Sequence, residues 1–279
     1  IFNKCHSFDI EVGKNGYLVA TTHVDAALGK TFVSETKIDS TVYMLSKIND
    51  TLQKLNKTLV IMLAPNRGKL LIEQTPGWYK LEQKRESDHV RYAKKLSQTA
   101  IKFIDYDQWF SKLKTASSRP LFTKCGIHWS NYGAALAGDT LIKLIEKQRG
   151  IDMPDMKITQ VVLSDSAREP DADLNNALNL IWDVKNDTMA YPVIVFDTTK
   201  KTRPSALIIG DSFFFNVSNQ GITVQAFKES SFWYYNNSIF STGSNNGKKV
   251  ADVSLSEEIN KHDVFIVIAT DVNLHSIGW

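Results

Sequence analysis

Thr58-Leu59-Val60-Ile61-Met62-Leu63-Ala64 is an uncharged, almost wholly apolar run closed by Pro65. Such a run is too short to span a bilayer, and with no polar alternation it predicts a strand buried on both faces. Immediately before it, Ile38, Val42, Leu45, Ile48, Leu52 and Leu55 recur at three- and four-residue steps, which places them on one face of a helix covering a sheet. The pattern repeats downstream. Ser87 to Thr99 reads as a polar helix with Val90, Ala93 and Leu96 inward, followed by a short strand from Ile101 to Asp105. A further helix runs from about Asn131 to Arg149 and is ended by Gly150. Ser205 to Ile209, Ile222 to Phe227 and Asp263 to Ala269 continue the buried core, and Ser254 with Glu257 three residues on predicts a capped helix before the last strand. Helices alternating with buried strands imply an α/β fold of three layers. Its mostly parallel sheet is flanked by helices, and sites form at the carboxyl ends of its strands.

Two segments lie outside that rhythm. Gly13 to Ala20 reads as a turn followed by a short strand, a peripheral hairpin. Between about residues 151 and 203 the periodicity weakens while Pro and Asp become frequent. We read an insertion there, carrying a short helix near Leu174 to Ile181 and a strand from Pro192 to Phe196, within a single domain spanning 1–279.

The 279 residues hold 33 Lys+Arg against 30 Asp+Glu, a net charge of +3 that is too mild and dispersed to predict a nucleic-acid partner. With 43% hydrophobic residues and ordinary Gly and Pro counts, the chain is neither disordered nor of low complexity. It begins at Ile1 rather than Met, which predicts that a signal or anchor segment, or a trimmed piece, preceded it. Cys5 and Cys125 form no C-x-x-C motif; a bridge between them is the one pairing they allow. Cys5, His6 and His23 have no recognisable ligand spacing, so no metal site is predicted.

Ile208-Ile209-Gly210-Asp211-Ser212-Phe213-Phe214 places a serine directly after a buried strand, at the start of a helix. A turn of that kind exposes a hydroxyl above the sheet and sets main-chain N–H groups beside it, an arrangement suited to a nucleophile and equally to a plain N-cap. Lys124-Cys125-Gly126-Ile127-His128-Trp129-Ser130 puts a histidine in a loop just ahead of the Asn131 helix. An imidazole there can serve as general base near neutral pH or as a structural hydrogen-bonding group.

Taken in chain order, these two segments resemble the SGNH hydrolase-like domains of the bacterial alginate O-acetyltransferases, the AlgJ/AlgX type. In that family a His-Trp motif precedes a Gly-Asp-Ser motif that follows a hydrophobic strand. Gly16-Tyr17-Leu18 resembles the family's opening segment, Leu63 to Lys69 its Pro-x-Lys loop, and Asp263 to Leu274 its last strand with an acidic residue at Asp271. The resemblance implies Ser212 as acyl-accepting nucleophile and His128 as its base. It departs at the third member, because the family carries Asp two residues before the histidine and Gly126 stands there. A Ser-His dyad, an orienting group from elsewhere such as Asp271 or a backbone carbonyl, and a site without chemistry all remain open.

Asp105 and Asp107 are further acids whose plain reading is solvated loop residues. Cys125 is an alternative nucleophile near His128, or inert packing. Asn66, at a strand end, could donate to an oxyanion or a substrate, or simply shape a turn. Trp129, with Phe232, Trp233, Tyr234 and Tyr235, offers either an aromatic surface for a sugar face or core. The resemblance implies a cofactor-free polysaccharide O-acetyltransferase outside the cytoplasm, in the periplasm or cell envelope. A membrane-bound acyltransferase would supply its acetyl groups and a carbohydrate would accept them. A secreted carbohydrate acetyl esterase and a non-catalytic carbohydrate-binding relative are the alternatives.

Overall fold

A computed structural model of the chain describes residues 4–5, 9–178, 181–241 and 244–277. It opens with three short antiparallel strands, β1 (Lys4–Cys5), β2 (Ile10–Val12) and β3 (Leu18–Ala20), then the short helix α1 (Thr21–Ala27). Helix α2 (Glu35–Lys54) leads to β4 (Thr58–Leu63), α3 (Arg67–Leu70), α4 (Asp88–Leu96), β5 (Lys102–Asp105) and α5 (Tyr106–Ala116). Helix α6 (Asn131–Arg149) precedes a long hairpin, β6 (Asp155–Ser164) and β7 (Met189–Asp197), whose connection holds α7 (Asp173–Leu178). Strand β8 (Ser205–Gly210) is followed by α8 (Phe213–Ser218), α9 (Ile222–Ala226), β9 (Glu229–Tyr234), β10 (Ser238–Ser241), β11 (Ser244–Lys249), α10 (Leu255–Lys261) and β12 (Val264–Ala269).

Seven strands form the central sheet in the order β11-β10-β9-β8-β12-β4-β5. The five from β9 to β5 run parallel, and at the other edge β10 pairs antiparallel with β9 and β11 antiparallel with β10. Because side chains alternate along a strand, each central strand feeds two cores. Val60, Met62, Ala206, Ile208, Val264, Ile266 and Ile268 pack toward α5, α6, α8 and α9. Leu59, Ile61, Leu63, Leu207, Phe265 and Val267 pack toward α2 and α4. Every residue of β12 is buried, which explains an apolar run with no polar interruption. The fold is a three-layer α/β arrangement with a mostly parallel central sheet, and the histidine loop precedes the serine turn in the chain.

The structure corrects three readings. The core segment beginning at Ile222 belongs to the flanking layer as helix α9 and adds no strand to the sheet: Ile222, Thr223 and Ala226 share a buried helical face, and the neighbouring strand is Glu229–Tyr234. The N-terminal hairpin is not peripheral, because Leu18 N donates to Lys124 O at 3.1 Å and Ile10, Leu18 and Ala20 share a small core with Cys125 and Leu174. Helix α10 begins after Ser254, yet that hydroxyl meets Ser256 Oγ at 3.0 Å and makes no cap. Cys125 is a free, buried thiol, and the side chain of Cys5, like residue 6, lies outside the described residues.

Candidate active site

Gly210 ends β8 where β12 passes so close that a Cβ would lie 2.1 Å from Ile268 Cγ2 and 2.7 Å from Ile268 O. Only glycine fits that approach. Asp211 follows, wholly buried, and its carboxylate holds the turn together. One oxygen accepts Phe213 N at 3.2 Å; the other accepts Thr270 N at 2.7 Å, Thr270 Oγ1 at 2.9 Å and Asn273 Nδ2 at 3.0 Å. A buried carboxylate with four donors is compensated, so Asp211 is a fastener between β8 and the end of β12. Ser212 stands at the N-terminus of α8 in right-handed helical conformation, with its hydroxyl partly exposed at the sheet's carboxyl edge and no capping bond to its own helix.

The histidine loop reaches this turn through reciprocal bonds. Trp129 Nε1 donates to Phe213 O at 3.0 Å, and Asn216 Nδ2 donates to Trp129 O at 2.9 Å. The His128 ring packs against Phe213 with centroids 4.8 Å apart, and its Nε2 lies 2.8 Å from Ser212 Oγ. On its other side Nδ1 meets Asp173 Oδ2, while Asp173 Oδ1 accepts Ile127 N at 2.7 Å. Ser212, His128 and Asp173 thus form one continuous chain of hydrogen bonds.

Asp173 is the residue that sequence reasoning missed. It opens α7 in the hairpin connection, 45 positions beyond His128, and no local motif points to it. The available signal was the Pro170-Asp171-Ala172-Asp173 cluster ahead of a short helix. Asp271, named above as an orienting acid, is not against His128. Its oxygens accept Asn66 Nδ2 at 3.1 Å and His89 N at 3.2 Å, because the turn that follows β12 packs against α1 and α4. Burial first, with Asp107 nearby, raises the affinity of its carboxyl for a proton.

Asn66 is buried at the end of β4. Its Oδ1 caps α3 through Lys69 N at 3.1 Å and its N–H donates to Asp107 Oδ1 at 3.1 Å. Trp129 is 0% exposed, wedged against Tyr106, Phe110 and Phe213, so it positions the loop and offers no sugar platform. Phe232 and Trp233 are likewise core, whereas Tyr235, at the end of β9 beside the serine strand, keeps 38% exposure. Asp105 and Asp107 are not solvated: Asp105 caps α5 and pairs with His89 Nε2 at 2.9 Å, and buried Asp107 binds Lys69 Nζ. Burial would raise the Asp105 pKa, but the His89 hydrogen bond and charge hold it below the usual carboxylate value. Burial would also lower the His89 pKa, yet Asp105, Asp107 and Asp271 together raise it. His89, Asp105 and Asp107 are, among the described residues, the group with ligand atoms close enough to hold a metal; the ammonium of Lys69 and the His89–Asp105 pair already satisfy them. Cys125 is buried and its thiol is pushed up to about 11 by burial, which suits packing and not nucleophilic attack.

Residues 10–219 match the family described as SGNH hydrolase-like domain, acetyltransferase AlgX. The chain belongs to this family. Among solved structures it is similar to the O-acetyltransferase domain of Pseudomonas putida AlgJ, with a TM-score of 0.58 and 12% identity over 96% of this chain and 92% of that one. Pseudomonas aeruginosa AlgX gives 0.57 and 15%, covering 94% of this chain and 61% of that one. Bacillus cereus PatB1 carrying a sulfonyl adduct gives 0.64 and 12%, over 99% of this chain and 100% of that one. No curated protein is similar enough in sequence to match. Among the described residues no helix is long and apolar enough to cross a membrane.

Proposed function

We propose that this AlgX-family domain transfers acetyl groups to a carbohydrate hydroxyl through an acetyl-Ser212 intermediate. The observation that carries the reading is the 2.8 Å contact of His128 Nε2 with Ser212 Oγ, at a strand-to-helix turn locked by Asp211. Ser212 Oγ attacks the acetyl carbonyl as His128 takes its proton, and the tetrahedral intermediate collapses by expelling the donor's oxygen, which receives that proton. The acceptor hydroxyl then loses its proton to His128 and attacks the acetyl-serine, and as the ester bond to Ser212 breaks His128 returns that proton to Ser212 Oγ. Charge on the intermediate's oxygen is met by main-chain N–H at the turn. The second Nδ2 hydrogen of Asn66 is the side-chain donor we assign to the oxyanion or the sugar. Tyr235 is the aromatic face we assign to the acceptor.

The acetyl donor we infer is a membrane-bound acyltransferase, and the working compartment the periplasm or cell envelope, on the strength of family membership. The test is turnover of an activated acetyl ester with and without oligosaccharides of several kinds. Acetylated sugar at the expense of free acetate supports transfer; acetate alone makes the protein an esterase. Ester turnover no faster in wild type than in Ser212→Ala leaves the non-catalytic reading.

A further inference from the structure

With Nε2 facing Ser212, the His128 imidazole must carry its proton on Nδ1, and that proton needs an acceptor to fix the tautomer. The loop of His128 offers none at Gly126, where the family's acid stands. We propose that Asp173, delivered by the connection between β6 and β7, is the positioning acid of this site. The same connection explains the glycine, because it fills the space in which a side chain at position 126 would lie. The inference deepens the acetyl-transfer reading and rests on it.

Both halves stand on geometry. Asp173 bonds His128 Nδ1 and Ile127 N together, so its carboxylate is set against the ring edge by two donors. A Cβ built on Gly126 would lie 2.6 Å from Thr123 Oγ1 and 3.0 Å from Asp171 O, closer than side chains pack. That obstruction is itself a docking joint. Thr123 Oγ1 donates to Asp171 O at 2.6 Å, Asn131 Nδ2 to Asp171 Oδ2 at 3.0 Å, and Asn186 Nδ2 to Asp171 O at 3.2 Å. Cys125 N donates to Asn186 Oδ1 at 3.1 Å, and Leu174 N to Cys125 O at 3.1 Å. Buried Arg67 donates from Nη2 to Thr123 O at 3.1 Å and Lys124 O at 3.0 Å, bracing the loop from below. An acid at 126 and the docked connection therefore exclude one another, and this chain has the connection. The site is complete only while that segment is docked.

The experiment compares acetyl-ester kcat and KM, together with the proton resonance of His128 Nδ1–H, in full-length wild type and variants. Asp173→Asn keeps the shape and loses the charge: we expect a fall of roughly 10³–10⁴-fold in kcat, KM nearly unchanged, and loss of the deshielded Nδ1–H signal. Asp173→Ala should behave alike, Gly126→Asp should lose turnover by displacing the connection, and Gly126→Asp in the Asp173→Ala background should not recover it. Asp173→Asn within about threefold of wild type, or an unchanged Nδ1–H signal in it, overturns the acid's role. Recovery of turnover in the double variant overturns the exclusion at position 126. Undiminished turnover in Ser212→Ala would instead remove the acetyl-transfer reading beneath it.

Discussion

Asn216, one turn into the helix that follows Ser212, donates its amide to the carbonyl of Trp129 at 2.9 Å and so ties the serine helix to the residue after His128. Both residues are buried, and Asn216 Nδ2 is a donor that water cannot replace there. Asn216→Ala leaves the Trp129 carbonyl short of a partner, a cost of about 1–3 kcal/mol, and lets His128 drift from Ser212. The expected outcome is a folded protein with a melting temperature lowered by several degrees and kcat lowered by about 10²-fold, read by thermal scanning and ester turnover.

The Gly210–Ile268 approach makes a sharper prediction. Gly210→Ala introduces a methyl group where 2.1 Å separates it from Ile268 Cγ2 and where main chain lies at 2.7 Å. Side-chain rotation cannot relieve a clash with the Ile268 carbonyl, so β8 and β12 must separate. Destabilisation of about 3 kcal/mol or more is expected, measured by denaturant unfolding.

His23 gives a pH dependence with a definite sign. Its ring is buried, stacks 6.2 Å from Phe213, and is held down to about 3 by burial, then by Arg67 and His128. The unfolded chain takes up a proton on this residue below about pH 6.5 while the folded chain does so only near pH 3, so this contribution to stability is lost as pH falls through that window. His23→Gln should flatten it. The difference in melting temperature between wild type and variant, followed from pH 7 to pH 4, should shrink or reverse as the pH drops.

Cys125 should be chemically quiet. A buried thiol pushed up to about 11 presents little thiolate at neutral pH, so iodoacetamide is expected to label it only in denaturant. Cys125→Ser should keep ester turnover within a few fold, whereas a nucleophilic role would abolish it.

The layers were legible where physics is local. A seven-residue apolar run such as Thr58–Ala64 has few alternatives to a buried strand, and Gly-Asp-Ser after another such run marks the exposed turn. Strand β6 carries no clean strand signature, because its register shifts between Ile158 and Gln160 and breaks the two-residue alternation. Ile222-Thr223-Val224 is β-branched throughout, a propensity for strand that packing against α6 and α8 overrides in helix α9. Within the site, Ser212 and His128 stand in recognisable local contexts. Asp173 does not: its partner lies across a tertiary contact made by a segment with weak periodicity, and single-sequence patterns carry no distance between residues so far apart.

The most direct measurement is the intact mass of the protein after brief exposure to an activated acetyl ester and acid quench, for wild type and Ser212→Ala. An adduct of one acetyl group on wild type, mapped to the peptide holding Ser212 and absent from the variant, is the result the account predicts. A wild type that turns over ester without any adduct at Ser212, or an equal adduct on Ser212→Ala, would contradict it.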